Sequence, residues 1–151
     1  MIIMSNTTEG TLTGTEGGVA WSYTGDILND VPHGKGKITW ANGEVYEGDL
    51  AYGLRHGKGK CELPDGSVFE GDFTDGEFVR GKGKFNFRDG STYEGEVVGN
   101  KPHGKGIRKY ANGNVYEGDF VNGNTEGKGK LTLPNGRVLE GNWVNGEYRG
   151  R

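Results

Sequence analysis

The fold is decided by residues 46–62, which read YEGDLAYGLRHGKGKCE. This stretch opens with an aromatic residue followed by Glu-Gly, and the same opening, with leucine in one case, recurs every 23 or 24 residues. A period of this length indicates a repeat protein, in which each unit buries its apolar face by stacking on its neighbours. The openings begin at Tyr46, Phe69, Tyr93, Tyr116 and Leu139.

The composition excludes a thick core and a nucleic-acid partner. Of 151 residues, 31% are hydrophobic and 31 residues are glycine, so a two-layer globular core is not expected. The glycines recur with the repeat, which argues against disorder. Basic residues (18) are interleaved with acidic ones (21) for a net charge of -3, and no basic cluster suits nucleic acid. Residues 1–31 contain no lysine or arginine, so acidity concentrates at the amino end.

The single cysteine and the start of the sequence predict an intracellular protein. Cys61 has no second cysteine to pair with, which is typical of a reducing compartment. Met1-Ile2-Ile3-Met4 lacks the charged region and the apolar length of a signal peptide, and no later run could span a bilayer. We therefore expect a cytoplasmic location, with peripheral attachment to a membrane or the cytoskeleton as the alternative.

Alternation within each unit predicts two short strands joined by a tight turn. Tyr46, Gly48 and Leu50 share one face of the first strand, and the acids between them share the other. Helical periodicity is absent, and Asn-Gly or Asp-Gly pairs are strong hairpin signals, so the array is predicted to be all-β. These pairs are Asn42-Gly43, Asp65-Gly66, Asp89-Gly90, Asn112-Gly113 and Asn135-Gly136.

Each face of the predicted sheet has its own packing rule. Glycines beside the rings leave gaps in the pleated surface where a neighbouring ring lies over backbone, so a single sheet builds a thin apolar layer. On the other face, glutamates are expected to pair with lysines of adjacent strands, each pair contributing about 0.2–1 kcal/mol. The expected partners are Glu47, Glu70, Glu94, Glu117 and Glu140 with Lys58, Lys82, Lys105 and Lys128.

The repeats divide the chain into a cap and six units. Residues 1–22 predict a degenerate hairpin that covers an open edge, as terminal units commonly do. Residues 23–151 hold five full units and a partial sixth, starting near 23, 46, 69, 93, 116 and 139. A shift of 70 residues superposes Pro32-His33-Gly34 on Pro102-His103-Gly104, which indicates duplication of a three-unit block. One extra residue between Gly76 and Gly81 predicts a bulge or a longer loop.

From roughly Tyr23 to Gly146 these units resemble the membrane occupation and recognition nexus, or MORN, repeat. The motifs that carry the resemblance are Tyr-Glu-Gly-x-aromatic, a loop glycine, His-Gly-x-Gly and a glycine turn. The resemblance implies an elongated, twisted, single-layer antiparallel sheet of tandem β-hairpins with a grooved face. It also implies a non-catalytic scaffold that binds partner peptides, dimerises or tethers machinery near membranes. Histidine stands at His33, His56 and His103, while Arg80 and Glu126 replace it in two units.

Nucleotide, metal and catalytic sites are not expected. Gly99–Lys105 satisfies G-x-x-x-x-G-K, but Gly106 replaces the Ser or Thr that would hold magnesium, and no helix follows. Equivalent histidines lie two strands apart, roughly 10 Å, which is too far for a shared zinc. We expect each histidine to fix a loop by a hydrogen bond to a neighbouring unit. The sheet repeats one shallow surface, so we predict no enzyme, no cofactor and no metal.

One slot of the repeat holds two unusual residues. Ile38, Phe85 and Leu131 fill this slot in three units, and Cys61 is expected to act there as a small apolar filler. Arg108 occupies the same slot in the fourth unit. It is predicted either to stack as a cation on the rings of Tyr93, Tyr110 and Tyr116 or to meet an acidic partner.

The face of rings and glycines is predicted to be an interaction surface. It is too apolar to be wholly wet, in a chain too thin to cover it, so we expect it to accept a partner protein or peptide. Homodimerisation through the open sheet ends is a further expectation. Alternatives are peripheral binding to anionic phospholipid, which the interleaved charge opposes, and a structural role in a larger assembly. The predicted groove residues are Trp40, Phe69, Phe85, Phe87, Tyr93, Arg108, Tyr110 and Tyr116.

Overall fold

A computed structural model describes residues 6–151, which form thirteen antiparallel strands in one open sheet. The strands follow one another across the sheet in chain order, so the predicted all-β array of hairpins is confirmed. Met1–Met4, on which the signal-peptide argument rests, and the first five residues of the predicted cap lie outside the described residues. The strands are β1 (Thr8–Glu16), β2 (Val19–Leu28), β3 (Val31–Trp40), β4 (Val45–Ala51), β5 (Leu54–Glu62), β6 (Val68–Thr74), β7 (Glu77–Asn86), β8 (Thr92–Val98), β9 (Lys101–Lys109), β10 (Val115–Val121), β11 (Asn124–Thr132), β12 (Val138–Val144) and β13 (Glu147–Gly150).

The chain packs as two compact units, each with its own buried layer of rings. Unit 1 contains the residues up to Pro64 together with Glu70–Val79, and unit 2 contains Asp65–Phe69 together with Arg80–Arg151. The buried apolar residues of unit 1 are Tyr23, Ile38, Tyr46, Leu50, Cys61 and Phe73. Those of unit 2 are Tyr93, Val97, Tyr116, Phe120 and Trp143.

Strand register assigns the side chains to two faces. Ile38, Tyr46 and Cys61 lie opposite one another on three neighbouring strands, and all three are buried. We call the face that carries them, and its counterpart in unit 2, the aromatic face. Glu47 lies opposite Lys37 and Lys60 on the other side of the sheet, which we call the outer face. The alternation read from the sequence is therefore confirmed.

A tyrosine lying over a glycine is the contact that builds the apolar layer. A Cβ atom added at Gly59 would overlap the ring and hydroxyl of Tyr46, so only glycine leaves room for the phenol. The hydroxyl of Tyr46 donates to the carbonyl oxygen of Asp49 at 2.6 Å, which satisfies it in a fully buried position. The same contact recurs in the other repeats, as Tyr23 over Gly36, Tyr93 over Gly106 and Tyr116 over Gly129.

The rings of unit 2 form a chain of edge contacts. Phe120 packs edge-on against both Tyr93 and Tyr116, with ring centroids 5.0 and 5.1 Å apart. Trp143 continues the chain from Tyr116 at 5.2 Å, and its indole N–H donates to the carbonyl oxygen of Gly129. Edge-to-face pairs of this kind contribute about 0.5–1.5 kcal/mol beyond area burial, so a layer one ring thick has directional contacts as well.

Each repeat contains two kinds of turn. At Asn42-Gly43 the carbonyl of Trp40 accepts from the N–H of Gly43, and Gly43 has φ 99, which gives a three-residue loop. The predicted turns at these positions are confirmed. The second turn lies where the resemblance places a loop glycine, and its tight form, with two residues of positive φ as at Asn122 (φ 49) and Gly123 (φ 87), was not predicted. The Asn-Gly and Asp-Gly pairs at 75–76, 122–123 and 145–146 were its unused sequence signal.

The histidines hold the second turn of the following repeat. His33 Nδ1 accepts from the backbone N–H of Tyr52 at 3.0 Å, and the carbonyl of Pro32 accepts from Gly53. His56 and His103 make the same contact with Asp75 and Asn122, as predicted. Glu126 replaces histidine without loss of the contact, because its carboxylate accepts from Asn145 N–H at 2.8 Å.

The predicted ion pairs between glutamates and lysines of the outer face are wrong, because the lysines contact acidic residues two positions further along the strand. Lysines contact the aspartate two residues after the predicted glutamate, in the pairs Lys35–Asp49, Lys58–Asp72 and Lys105–Asp119. The register explains the difference, since Asp49 lies directly opposite Lys35 whereas Glu47 lies opposite Lys37. Asp49 also accepts from the backbone N–H of Lys58 on the other side, so one carboxylate joins three strands.

Of the two alternatives predicted for Gly76–Gly81, a bulge or a longer loop, the longer loop is wrong. The turn at Asp75-Gly76 keeps two residues with positive φ, and β7 begins immediately at Glu77. The extra residue lengthens the strand, which has ten residues where β5 has nine, and places Arg80 opposite Val98. The 70-residue shift relates Phe73 to Trp143 and Phe78 to Tyr148, and the two rings contact each other in both units.

We predict that Gly106→Ala strongly destabilises the protein and that Gly83→Ala does so less. Both glycines occupy the same slot, but the added Cβ at Gly106 meets the anchored phenol of Tyr93. At Gly83 the nearest atoms are movable side-chain ends, Val97 Cγ2 at 2.8 Å and Phe85 Cζ at 3.0 Å. Overpacking of this kind costs about 1–3 kcal/mol, and we expect Gly106→Ala to fall at the upper end. Urea unfolding measures both variants, and equal losses would contradict the role of the tyrosine contact.

Alkaline pH should unfold the protein through the same tyrosines. Burial, followed by the adjacent acidic residue, raises the pKa of Tyr46, Tyr93 and Tyr116 from 10.0 to about 12. Because the folded-state pKa exceeds the unfolded one, the stabilisation is complete below pH 10 and is lost as the pH rises through about 12. Unfolding free energies measured across this range should decline. Tyr93→Phe should reduce the slope, and an unchanged slope would contradict the assignment.

Candidate functional site

The aromatic face leaves two groups of side chains open to contact, one in each unit. They lie towards the turns, away from the glycine row, because the rings of the buried tyrosines occupy the centre of the face. In unit 1 the side chains form a concave surface, which we call the unit 1 groove. In unit 2 they surround Arg108, and we call Phe85, Phe87, Ser91, Arg108 and Tyr110 the Arg108 cluster.

The unit 1 groove has a volume of about 640 Å³. Trp21 and Trp40 lie opposite each other on β2 and β3, and Ile38 forms part of the floor. Leu54, the first residue of β5, also lines the groove and remains 48% exposed. A volume in this range matches that of typical ligand sites, and half-buried indoles supply a large apolar surface at low entropic cost.

Arg55 fixes one wall of the groove. Its guanidinium carbon lies 5.9 Å from the ring centroid of Trp40 and 5.6 Å from that of Phe73. One terminal nitrogen contacts the carboxylate of Glu44 at 3.3 Å, and the other donates to the carbonyl oxygen of Gly76 at 2.8 Å. The charge is therefore neutralised within unit 1, and the side chain orients Trp40 by a cation–π contact.

The rim of the groove is acidic. Glu16, Asp30, Asp75 and Glu77 line it and are exposed, while Arg55 is the only basic side chain among its lining residues. Asp75 lies 3.7 Å from His56 Nδ1. Within residues 6–151 the carboxylates of Glu16, Asp30 and Glu77 form no ion pair. Since Arg55 is matched by Glu44, the rim as a whole carries a negative charge.

The Arg108 cluster resolves the two alternatives predicted for this arginine. The guanidinium stacks 4.2 Å from the ring centroid of Phe87 and 5.3 Å from that of Tyr110. A terminal nitrogen donates to the hydroxyl of Ser91 at 2.9 Å, and Ser91 donates in turn to Asp89. Among the described residues, stacking is thus confirmed for Tyr110 alone of the three predicted rings, and the closest ring is Phe87, which was not predicted. The buried Nε atom has no hydrogen-bond partner among the described residues.

The predicted groove residues fall into three groups. Trp40 lies in the unit 1 groove, whereas Phe69, Phe85, Phe87, Arg108 and Tyr110 are half-buried in unit 2. Tyr93 and Tyr116 have 0% exposure, because Phe120 and their own glycine sockets enclose them. We therefore place these two tyrosines beneath the surface, where they support neighbouring side chains and touch no partner directly.

Sequence reasoning missed Trp21, Leu54 and Arg55. The available signal was Arg55, which stands where Pro32 and Pro102 stand in other repeats. A charged residue in a slot that holds proline, valine or threonine in the other full repeats is as unusual as Arg108 among apolar residues. Its reach across the face to Trp40 depends on the bulge between Gly48 and Leu50, which the repeat pattern alone does not reveal.

The repeat family follows from these motifs in register. The sequence model of the MORN repeat matches residues 23–45, 46–68, 69–92, 93–115 and 116–136, which together span well over half of the chain. The chain belongs to the MORN repeat family. Its repeats typically mediate interactions with proteins or membranes, and the family is generally non-catalytic. A search of curated proteins returned no significant match.

The cysteine of this MORN protein has a structural role in the buried layer. Cys61 has 0% exposure, and burial raises the pKa of its thiol to about 12, as expected for a small core filler. Between residues 6 and 151, no three His, Cys, Asp or Glu side chains are grouped to hold a metal ion. The same residues contain no helix that is long and apolar enough to cross a bilayer.

We predict that Arg108→Leu changes stability by less than about 1 kcal/mol. The MORN slot accepts leucine at Leu131, and the lost cation–π contacts are offset because a buried Nε without a partner is removed. Arg55→Leu is the matched control. It leaves Glu44 half-buried and uncompensated and Gly76 without a donor, so it should cost about 2 kcal/mol. Urea unfolding compares them, and a larger loss for Arg108→Leu would contradict this assignment.

Proposed function

We propose that the protein is a non-catalytic MORN-repeat scaffold that binds a segment of a partner protein in the unit 1 groove. The observation that carries the proposal is the groove itself, in which Trp21, Trp40 and Leu54 line an open concavity. No second layer covers this face among the described residues, since all their strands belong to one sheet. Indole rings in a concave apolar surface are typical anchors of protein interfaces.

The rim determines the chemistry of the partner. Glu16, Asp30 and Glu77 surround an apolar floor, so the complementary segment carries a large apolar side chain flanked by lysine or arginine. An acidic segment, an anionic phospholipid headgroup or nucleic acid would meet the same carboxylates with repulsion. We therefore favour protein over membrane as the partner, and we propose a cytoplasmic setting for the complex.

The Arg108 cluster is proposed as a separate contact surface of unit 2. Phe87 and Tyr110 hold the guanidinium flat, and Phe85 stacks on the buried Tyr93 at 6.2 Å. A guanidinium pre-oriented by rings suits a carboxylate or a peptide carbonyl of a partner. Phe69, Phe85 and Phe87 would supply the surrounding apolar contacts.

The absence of catalysis is part of the proposal. Catalysis needs groups with pKa values adjusted towards neutral pH in an asymmetric site. In this protein such pKa values shift away from neutral pH. The pKa of Cys61 rises to about 12, and hydrogen bonding to Lys35 lowers the pKa of Asp49. The generally non-catalytic character of MORN repeats supports the same conclusion.

The proposal is tested by selecting peptides from a displayed random library for binding to the full chain. Enriched peptides should carry a tryptophan, leucine or phenylalanine next to lysine or arginine, and their affinity should fall as salt screens the rim. Trp40→Ala should weaken a selected synthetic peptide by about thirtyfold, as expected for an anchor. Leu54→Asn, at an exposed position, should weaken it without loss of fold.

A charge-reversal pair supplies the control. Glu77→Lys on the groove rim should weaken the peptide, whereas Glu47→Lys, the same change on the outer face, should leave its affinity unchanged. Equal effects of the two changes, or enrichment of acidic peptides, would overturn the proposal. A different result would be co-sedimentation with phosphatidylserine vesicles that is equally strong for Glu77→Lys and Trp40→Ala. That result would indicate a membrane, and not a protein, as the partner.

A further inference from the structure

Tyr52 is an unusual residue for its position in the turn between β4 and β5. It has φ 51, and of the large apolar residues that the structure describes it is the most exposed, at 75%. The matching turns carry Asp75, Asn122 and Asn145, residue types that adopt left-handed backbone more readily than an aromatic residue does. A bulky side chain in this conformation costs stability, and such outliers are concentrated at functional positions.

The ring of Tyr52 is held in place although it is exposed. It contacts the imidazole of His33, with ring centroids 4.6 Å apart. Nδ1 of the same imidazole accepts from the backbone N–H of Tyr52 at 3.0 Å, so the turn fixes the supporting ring. Within residues 6–151 the phenol hydroxyl forms no hydrogen bond. One side of the ring is therefore supported and the other is open, and a side chain ordered in advance loses little entropy on binding.

Carboxylates stand on both sides of Tyr52 in unit 1. Because the strands follow one another in chain order, the turn that contains Asp30 precedes the Tyr52 turn, and the turn that contains Asp75 follows it. Consecutive turns of this kind are two strands apart, roughly 10 Å at about 4.8 Å per strand. Asp30 forms no ion pair with the described residues, and the ion-pair partner of Asp75 among them is His56.

The open ring has no cation of its own. In the described part of unit 1, all cation–π contacts are made by Arg55, and they are directed to rings other than Tyr52. Lys35, two residues after His33, is paired with Asp49. An aromatic ring between carboxylates, with no cation over it, suits a positively charged ligand. The guanidinium of arginine fits best, because it stacks flat on a ring and keeps N–H groups free for carboxylates.

We propose that Tyr52 receives an arginine of the partner segment, with the guanidinium on the open side of the phenol ring and attracted by Asp30 and Asp75. This inference rests on the proposed function, since the arginine belongs to the segment whose apolar side chain fills the unit 1 groove. Gly53 and Leu54, the two residues that follow Tyr52, line that groove. Two residues span at most about 7 Å, so the arginine lies within about four residues of the apolar side chain.

A double-mutant cycle with one peptide from the library selection tests the contact in the full chain. Tyr52→Asn should weaken the peptide by about two- to fivefold, the range expected of an exposed cation–π contact, whereas Tyr52→Phe keeps the ring and should retain the affinity. Replacing the arginine of the peptide by lysine should weaken binding to the native protein by a similar factor. The same replacement should have little further effect on Tyr52→Asn.

Urea unfolding separates binding from folding. Tyr52→Asn introduces a residue type that the matching turns use at the same φ, so its unfolding midpoint should equal or exceed that of the native protein. A second library selection, made against Tyr52→Asn, should still enrich the apolar side chain. It should lose the preference for arginine over lysine, because the carboxylates of the rim attract both.

The outcomes distinguish this inference from the groove proposal. Peptides that depend on Trp40 but bind Tyr52→Asn with native affinity would overturn the arginine contact alone. Equal enrichment of lysine and arginine by the native protein would do the same. A lower urea midpoint for Tyr52→Asn than for Tyr52→Phe would give the ring a structural role in place of binding. A library that yields no peptide, or peptides insensitive to Trp40→Ala, would overturn the groove and the arginine contact together.

Discussion

The structure depends on one contact, the tyrosine ring that lies over a glycine of the neighbouring strand. A sheet with no second layer has nothing to bury an aromatic ring except its own backbone. Gly59 gives Tyr46 that surface, and the ring reaches 0% exposure although the apolar layer is one side chain thick. The composition follows from this contact, since 31 glycines accompany a hydrophobic fraction of only 31%. Each buried phenol also keeps its hydrogen bond, as Tyr46 does with Asp49, so burial of the ring leaves its hydroxyl satisfied.

The same contact determines where function is accommodated. The central rows of the aromatic face are filled by tyrosines and glycines, and substitution there breaks the fold before it alters a surface. The central rows hold mainly apolar side chains, whereas charged and half-exposed side chains of this face stand in slots on either side, near the turns. Trp40, Phe87 and Tyr110 stand on one side of the row, and Arg55 and Leu54 on the other. The candidate binding residues are found at these flanking slots because their side chains remain half-exposed there.

Much of the fold followed from the sequence, because period and alternation are local properties. Strand order, the two faces, the glycine sockets and the histidine contacts were all predicted from the spacing. The errors arose where geometry is not local. Asp49 lies directly opposite Lys35 in the register of β3 and β4, and Lys58 likewise reaches Asp72, so the lysines contact aspartates and not the glutamates. The burial of Tyr93 and Tyr116 depends on Phe120, whose packing between them follows from side-chain reach across two strands. The unit 1 groove was missed for the same reason, since residues from four parts of the chain converge there.

The 70-residue correspondence in the sequence relates the two units, which have the same buried positions but different surface side chains. Trp40 corresponds to Tyr110 and Cys61 to Leu131, so the apolar character of these positions is retained. The arginines stand at different positions in the two units. Arg55 of unit 1 corresponds to Thr125 of unit 2, and Arg108 of unit 2 corresponds to Ile38 of unit 1. Each unit thus holds one guanidinium against its rings, but from a different slot and with a different counterpart, Glu44 in unit 1 and Ser91 in unit 2. A carboxylate neutralises the first arginine, whereas a hydroxyl leaves the charge of the second available. The two surfaces thus differ in charge on the same scaffold, since carboxylates line the groove of unit 1 and a guanidinium stands at the centre of the Arg108 cluster.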